Sequence, residues 1–149
     1  MRRPLRIGLA IASVGSLIIG AAWIGPRLDV PVEFWLSPVE TVSIDGRELR
    51  VVRVGYSQGL RGVRTLGGLD GALFVLDAPT RGGMGMFDTR IPLDVVFFDS
   101  DGRFIDRLSM SVCESKDCPS YVPSRNWQFA IEAPAGGLAW VTHAAVLRR

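Results

Sequence analysis

From Val39 onward, apolar and polar positions follow the two-residue period of β-strands rather than the 3.6-residue period of helices. Val39–Ile44 and Glu48–Val54 flank Asp45-Gly46, a dipeptide that closes tight hairpins. The segment from Gly55 to Gly71 is glycine-rich and predicts a loop with one short helical turn, its glycines working against a longer helix. Ala72–Leu76 reads as a short strand and Asp77–Gly83 as a loop. Leu93–Phe98 holds Val95-Val96-Phe97-Phe98, a run with no polar face, and this predicts a central strand buried on both sides. An Asp99–Gly102 turn follows. In the next strand Phe104, Leu108, Met110 and Val112 fall on one face and Ile105, Arg107, Ser109 and Ser111 on the other, with Asp106 breaking the apolar face at a bulge or an edge. Trp127–Glu132 is a further strand, Ala133–Gly137 a turn and Leu138–Leu147 the last strand. This series predicts a mostly β fold, a compact antiparallel or mixed β-sandwich or barrel-like domain with little helix.

The opening of the chain departs from that pattern. Ile7 to Gly25 carries no charge over 19 residues. As a helix it would rise about 28 Å, close to the hydrocarbon thickness of a bilayer. Arg2, Arg3 and Arg6 precede it, so the positive-inside rule leaves the amino terminus in the cytoplasm and the domain outside. The expectation is a membrane anchor or signal peptide over 1–26, contacting the membrane through residues 5–25, a proline-bearing tether over 27–38 and a β-rich domain over 39–149. Cleavage near Ala22, which would release the domain, is the competing outcome. Phe34, Trp35 and Leu36 are expected at the membrane interface or packed on the domain.

Of 17 Lys and Arg, removing the three arginines at positions 2, 3 and 6 leaves 14 basic residues against 15 acidic ones. The pI near 8.8 therefore belongs to the leading segment. No basic stripe with interleaved aromatics is visible, which argues against nucleic acid as a partner.

Few side chains suggest chemistry. Asp94 shares a strand face with Val96 and Phe98, where an unpaired carboxylate would cost several kcal/mol. Its structural reading is a carboxylate accepting backbone N–H groups of the Met86–Ile91 loop, with Arg90 and Arg61 as possible partners; its functional reading is an acid–base group in a cleft. Asp88 and Thr89 either cap the turn or line that cleft. Cys113 and Cys118 are the sole cysteines, an even number in an exported chain; a structural disulfide is expected, with free thiols or redox work as alternatives. One histidine with two thiols falls short of a zinc site. His143, with no nucleophile motif beside it, reads as a satisfied residue of the last strand. Arg81-Gly82-Gly83-Met84-Gly85 lacks the strand and helix start of a phosphate cradle, and no cofactor motif is found. Trp127, Phe129 and Trp140 fall at strand spacing and are expected in the core.

Several segments resemble a known family. Gly59-Leu60, Leu66 and Asp70-Gly71-Ala72-Leu73-Phe74-Val75 come first. The more specific match runs from Met86-Phe87-Asp88-Thr89-Arg90-Ile91-Pro92-Leu93-Asp94 to Phe97-Phe98-Asp99 and Gly102. Cys113, Cys118-Pro119-Ser120-Tyr121 and Glu132-Ala133-Pro134-Ala135-Gly136 complete it. Over about Arg50 to Leu147 the chain is similar to the bacterial and archaeal domain of unknown function numbered 192. It departs from that pattern at Met84-Gly85, where the family has an aromatic pair, at Phe87-Asp88 in place of Lys-Asn, and at Arg61 and Val63 in place of Met and Arg. The family's final Gly-Asp is missing near Thr142-His143. The resemblance implies a compact β-rich fold and frequent export, and no reaction.

These readings converge on a non-catalytic module of the cell envelope that binds a small ligand or partner protein through a cleft beside residues 84–94, formed by Arg61, Met86, Asp88, Thr89, Arg90 and Asp94. A hydrolase or lyase using Asp94 with Asp88 as a carboxylate pair is the enzymatic alternative. A purely structural scaffold is a third, and it predicts no concave pocket.

Overall fold

The fold was analysed in a computed structural model that describes residues 34, 36–115 and 117–149. The expected anchor over 1–26 and most of the tether lie outside the described residues. Among the described residues no helix is long and apolar enough to cross a membrane.

Among the described residues nine strands form: β1 (Val39–Ile44), β2 (Arg47–Arg53), β3 (Gly71–Thr80), β4 (Met84–Gly85), β5 (Leu93–Phe98), β6 (Phe104–Met110), β7 (Ser120–Tyr121), β8 (Trp127–Pro134) and β9 (Leu147–Arg148). Seven belong to one curled half-barrel sheet in the order β6-β5-β8-β3-β2-β1-β9, and β4 pairs with β7 in a separate ribbon. The architecture is thus a single curled sheet covered on both faces rather than two stacked sheets. The hairpin at Asp45-Gly46 forms as the dipeptide predicts. Both residues have positive φ, 51° and 81°, the geometry that matches the right-handed twist of the strands it joins.

Every residue of β5 is buried. Its alternation divides the core in two. Leu93, Val95 and Phe97 pack with Leu60, Val63, Leu66, Met84 and Met86 on one face. Val96 and Phe98 pack with Leu138, Val141, Ala145 and Leu147 on the other. A strand with both faces covered cannot carry an alternating polar pattern, which is why its sequence is a continuous apolar run.

All sheet pairings are antiparallel except β2 with β3, which run parallel. Parallel neighbours need a crossover, and residues 54–70 supply it across the first face. The expected helical turn is replaced there by consecutive tight turns, such as Gly59 N–H to the Gly55 carbonyl at 2.9 Å and Val63 N–H to the Leu60 carbonyl at 3.1 Å. At Gly62, φ is +71°, a left-handed conformation that stops a helix from propagating.

Two further expectations are corrected. Leu138–Leu147 is not a continuous strand: three-residue turn bonds such as Val141 N–H to the Leu138 carbonyl at 3.0 Å carry it over the second face, and pairing resumes with an isolated bridge at Val146 and then β9. Leu138, Val141 and Ala145 all point inward from those turns. His143 accordingly sits exposed in a turn and not in a ladder. β3 also runs on through Asp77 to Thr80, where a loop was expected; its register against β8 slips between Val75 and Thr80.

Asp106 behaves as expected of a bulge at an edge. Phe97 pairs with Asp106 and Phe98 with Phe104, leaving Ile105 as the extra residue on the edge strand β6. The bulge turns Ile105 into the first core half while Phe104 packs toward the second. Phe34 packs into the first half as well, and Leu36 is 80% exposed. Of the three aromatics expected in the core, Trp127 is fully buried; Phe129 and Trp140 are half-buried, with the guanidinium groups of Arg149 and Arg47 over their rings.

Candidate functional site

The crossover, β4 and the loop after it enclose a cavity of about 180 Å³ on the first face of the sheet. The crossover contributes Tyr56 to Arg61, β3 contributes Phe74, β4 contributes Met84 and Gly85, the following loop contributes Phe87 and Thr89, and β8 contributes Glu132. The wall between β4 and the crossover is fixed by two aromatic donors. The Tyr56 hydroxyl donates to the Gly83 carbonyl at 2.8 Å, and the Trp127 indole N–H donates to the Gly82 carbonyl at 2.7 Å. The two rings meet edge to face with centroids 5.6 Å apart. The glycine run that superficially suggested a phosphate cradle thus gives its carbonyls to Tyr56 and Trp127.

The loop from Met86 to Thr89 closes through the Thr89 N–H, which donates to the Met86 carbonyl at 3.1 Å. Asp88 adopts φ of +58°, which aspartate tolerates better than most residues. Its carbonyl accepts the Gly62 N–H at 2.8 Å, tying the loop to the crossover. Its carboxylate pairs with Arg90 at 2.6 Å. Asp88, Thr89 and Arg90 also line a second cavity of about 280 Å³ with Phe87, Cys113 and Glu114. Cys113 and Cys118 form a disulfide, and Cys113 bridges to Phe87 in the backbone, so the cystine loop braces the same turn.

Asp94 is 5% exposed and lines neither cavity. It does not accept from the Met86–Ile91 loop, and neither Arg90 nor Arg61 pairs with it. The Ser109 hydroxyl donates to its Oδ1 at 2.8 Å and the Gly136 N–H donates to its Oδ2 at 2.8 Å. It therefore pins the Ala133–Gly137 turn to the edge strand, on the sheet face opposite the cavity. Asp88 and Asp94 are not brought together, which leaves the carboxylate pair without a shared cleft. Met86 is fully buried beneath the loop as a core residue and does not line the first cavity. Of the six residues expected at the cleft, Arg61 and Thr89 reach the first cavity, and Asp88, Thr89 and Arg90 the second.

Glu132 was not among the expected site residues. It stands next to the end of β8, 4% exposed, on the face shared with Ala130. Its ladder neighbours are Ala72 on β3 and Val95 on β5. Burial among these groups pushes its carboxyl up to about pH 8, so it is protonated at neutral pH. No hydrogen bond links the Glu132 carboxyl or the Thr89 hydroxyl to another side chain or backbone group among the described residues; both residues are largely buried, but these oxygens are not sealed from solvent. Both face the cavity that they line. Burial also raises the Tyr56 hydroxyl above its ordinary range. At the mouth, the Arg61 guanidinium lies over the Phe87 ring, 5.4 Å from its centroid, and has no carboxylate partner among the described residues. The signal in the sequence was an acid sharing a strand face with Ala130, the same signal that singled out Asp94.

Among the described residues no group of three or more histidine, cysteine, aspartate or glutamate side chains is placed to hold a metal ion.

The fold is shared with solved proteins. A protein of unknown function from Novosphingobium aromaticivorans DSM 12444 superposes with a TM-score of 0.67 at 20% identity, covering 74% of this chain and 85% of its own. A proposed transcription regulator from Sinorhizobium meliloti 1021 superposes with a TM-score of 0.64 at 25% identity, covering 75% and 94%. No curated protein matches the sequence. Residues 53–142 match the family model of the domain of unknown function 192, described as an uncharacterised ACR, and the chain belongs to that family.

Proposed function

We propose that the domain is a binding module for a small polar ligand, held in the cavity between the crossover, the Phe87–Thr89 loop and β8. The observation that carries this reading is Glu132: an acid only 4% exposed overall, whose carboxyl group has no protein partner and opens on the cavity. The cavity opens this group to solvent, and a ligand that took the place of that solvent would gain a hydrogen bond whose net worth is about 0.5–1.5 kcal/mol. Thr89 adds a second oxygen without a protein partner to the same wall. A purely structural scaffold predicts no such concavity. The cavity presents one carboxyl group with neither a second acid nor a histidine on its walls, which favours binding over acid–base turnover.

The ligand would be met outside the cytoplasm. Supporting this are the uncharged run from Ile7 to Gly25 behind three arginines, and the Cys113–Cys118 disulfide, a bond that persists in oxidising compartments. The domain would then stand on the outer side of the cytoplasmic membrane, tethered by residues 27–38 or released by cleavage near Ala22.

The test is a small-molecule fragment screen followed by amide NMR. Perturbations should cluster on Tyr56–Arg61, Met84–Gly85, Thr89 and Glu132. A screen whose hits scatter over other surfaces, or that yields none, refutes the proposal.

A further inference from the structure

Resting on the binding reading above, we infer that the cavity is a carboxylic-acid site, in which the Glu132 carboxyl donates a hydrogen bond to the carboxylate of a small monoanion while Arg61 at the mouth balances its charge. The argument starts from what the walls offer. Leu60, Phe74, Met84 and Phe87 give an apolar body to the site. Ser57, Gln58, Arg61, Thr89 and Glu132 make much of the rest polar, so the 180 Å³ here has room for a small ligand with a polar head.

The nature of that head follows from the three ionisable groups that line the cavity: Tyr56, Arg61 and Glu132. No other charged group faces Glu132 from the strands beside it, since Ala72 and Val95 are its ladder neighbours. The Tyr56 hydroxyl is committed to the Gly83 carbonyl. Arg61 is a cation without a counter-ion among the described residues. A ligand ammonium would meet that like charge, and it would have to ionise a buried Glu132 in order to be paired. A ligand carboxylate meets the opposite situation. It accepts from the protonated Glu132, it can accept from the Thr89 hydroxyl, and it brings the counter-charge that Arg61 lacks. Hydrogen bonds to ionised acceptors are roughly twice as strong as neutral ones. A neutral amide could use the Glu132 donor but would leave Arg61 without a counter-charge.

The proton is part of the recognition. Glu132 loses its donor hydrogen as pH rises through about 8, and above that value a carboxylate would face a second carboxylate. Affinity should therefore be flat below neutrality and fall toward tenfold per pH unit above about 8, the linkage expected for one required proton.

The experiment titrates the domain with acetate, lactate and benzoate, and with acetamide, benzamide and benzylammonium as neutral and cationic counterparts, following amide shifts between pH 6 and pH 9.5. The acids should perturb Arg61, Thr89 and Glu132 at pH 6.5 and weaken at least fivefold by pH 9. Glu132→Gln keeps an N–H donor, so it should bind the acids at pH 6.5 and lose the alkaline fall. Arg61→Gln should weaken the acids several-fold at every pH and leave the pH profile in place. Benzamide or benzylammonium binding as well as benzoate would overturn the carboxylic-acid assignment and leave the binding reading intact. So would an alkaline fall that persists in Glu132→Gln. If no fragment of any class perturbs the cavity residues, both fail together.

Discussion

Asp94 and Glu132 lie on adjacent strands one register step apart and point to opposite faces of the sheet: Asp94 is paired with Ala133, and Val95 with Glu132. Because side chains alternate with a period of two, that single step separates two buried acids completely. Asp94 faces the second core half and accepts hydrogen bonds from Ser109 and Gly136. Glu132 faces the first half and a cavity, with nothing donating to it. One acid is an internal brace, and the other is held without a partner where a ligand can reach it.

The brace has a measurable energy. Asp94→Ala removes the acceptor for the Gly136 N–H and for the Ser109 hydroxyl, and it should destabilise the domain by about 1–3 kcal/mol. Urea denaturation checks this. The same variant should leave the cavity's amide shifts unchanged in the native state, because Asp94 acts on the opposite face. A loss below about 0.5 kcal/mol would mean that the two hydrogen bonds are not what holds the Ala133–Gly137 turn.

Glu132 makes stability depend on pH in the unusual direction for a carboxylic acid. Its folded-state value of about 8 lies above the ordinary 4.5. The folded protein thus holds a proton that the unfolded chain has lost in between. Its contribution is fully present below about pH 4.5 and is lost as pH rises through 8, with a limiting slope of about 1.4 kcal/mol per pH unit. Relative to wild type, Glu132→Gln should gain on the order of a few kcal/mol between pH 5 and pH 9. Parallel pH–stability curves for the two proteins would show that Glu132 does not carry the buried proton.

The cystine loop should stabilise the domain by roughly 2 kcal/mol, the size expected for closing so short a loop in the chain-entropy model. Reduction, or a Cys113→Ser and Cys118→Ser double variant, should lower the denaturation midpoint by a corresponding amount. Because Cys113 bridges to Phe87, amide exchange should rise first in the Met86–Thr89 turn. Alkylation of the native protein followed by mass spectrometry should find no free thiol.

Arg107 offers a fourth measurement. One of its guanidinium nitrogens donates to the carbonyls of Leu138 at 3.1 Å, Ala139 at 2.5 Å and Val141 at 3.1 Å. Those carbonyls lie outside any strand ladder, and of the three the Leu138 carbonyl also accepts the Val141 N–H. Arg107→Met should therefore cost about 1–2 kcal/mol and raise hydrogen exchange across residues 138–145. An unchanged exchange pattern would assign the order of that segment to Leu138, Val141 and Ala145 alone.

The strands and turns with strong local chemistry were legible in the sequence. Asp45-Gly46 has no comfortable alternative to a hairpin, and Val95–Phe98 has no polar face to offer solvent, so the hairpin and the doubly covered strand β5 could be read directly. The Met86–Asp94 segment and the cysteine pair identified the family for the same reason. The Leu138–Leu147 segment was misread because Leu138, Val141 and Ala145 fit inward-pointing turns as well as they fit an irregular alternation, and only the sheet face above them selects between the two.

Sequence alone determined that this chain is a small β-rich domain of the 192 family with an apolar strand covered on both faces, because strand period, turn chemistry and burial are local properties; that this strand lies beside the edge strand β6 was not legible. It also determined that Asp94 would be buried and would need partners. Which partners, and which acid faces the cavity, were decided by tertiary structure. Those answers depend on the register between β5 and β8 and on the path of the crossover, and both are set by pairings between residues far apart in the chain.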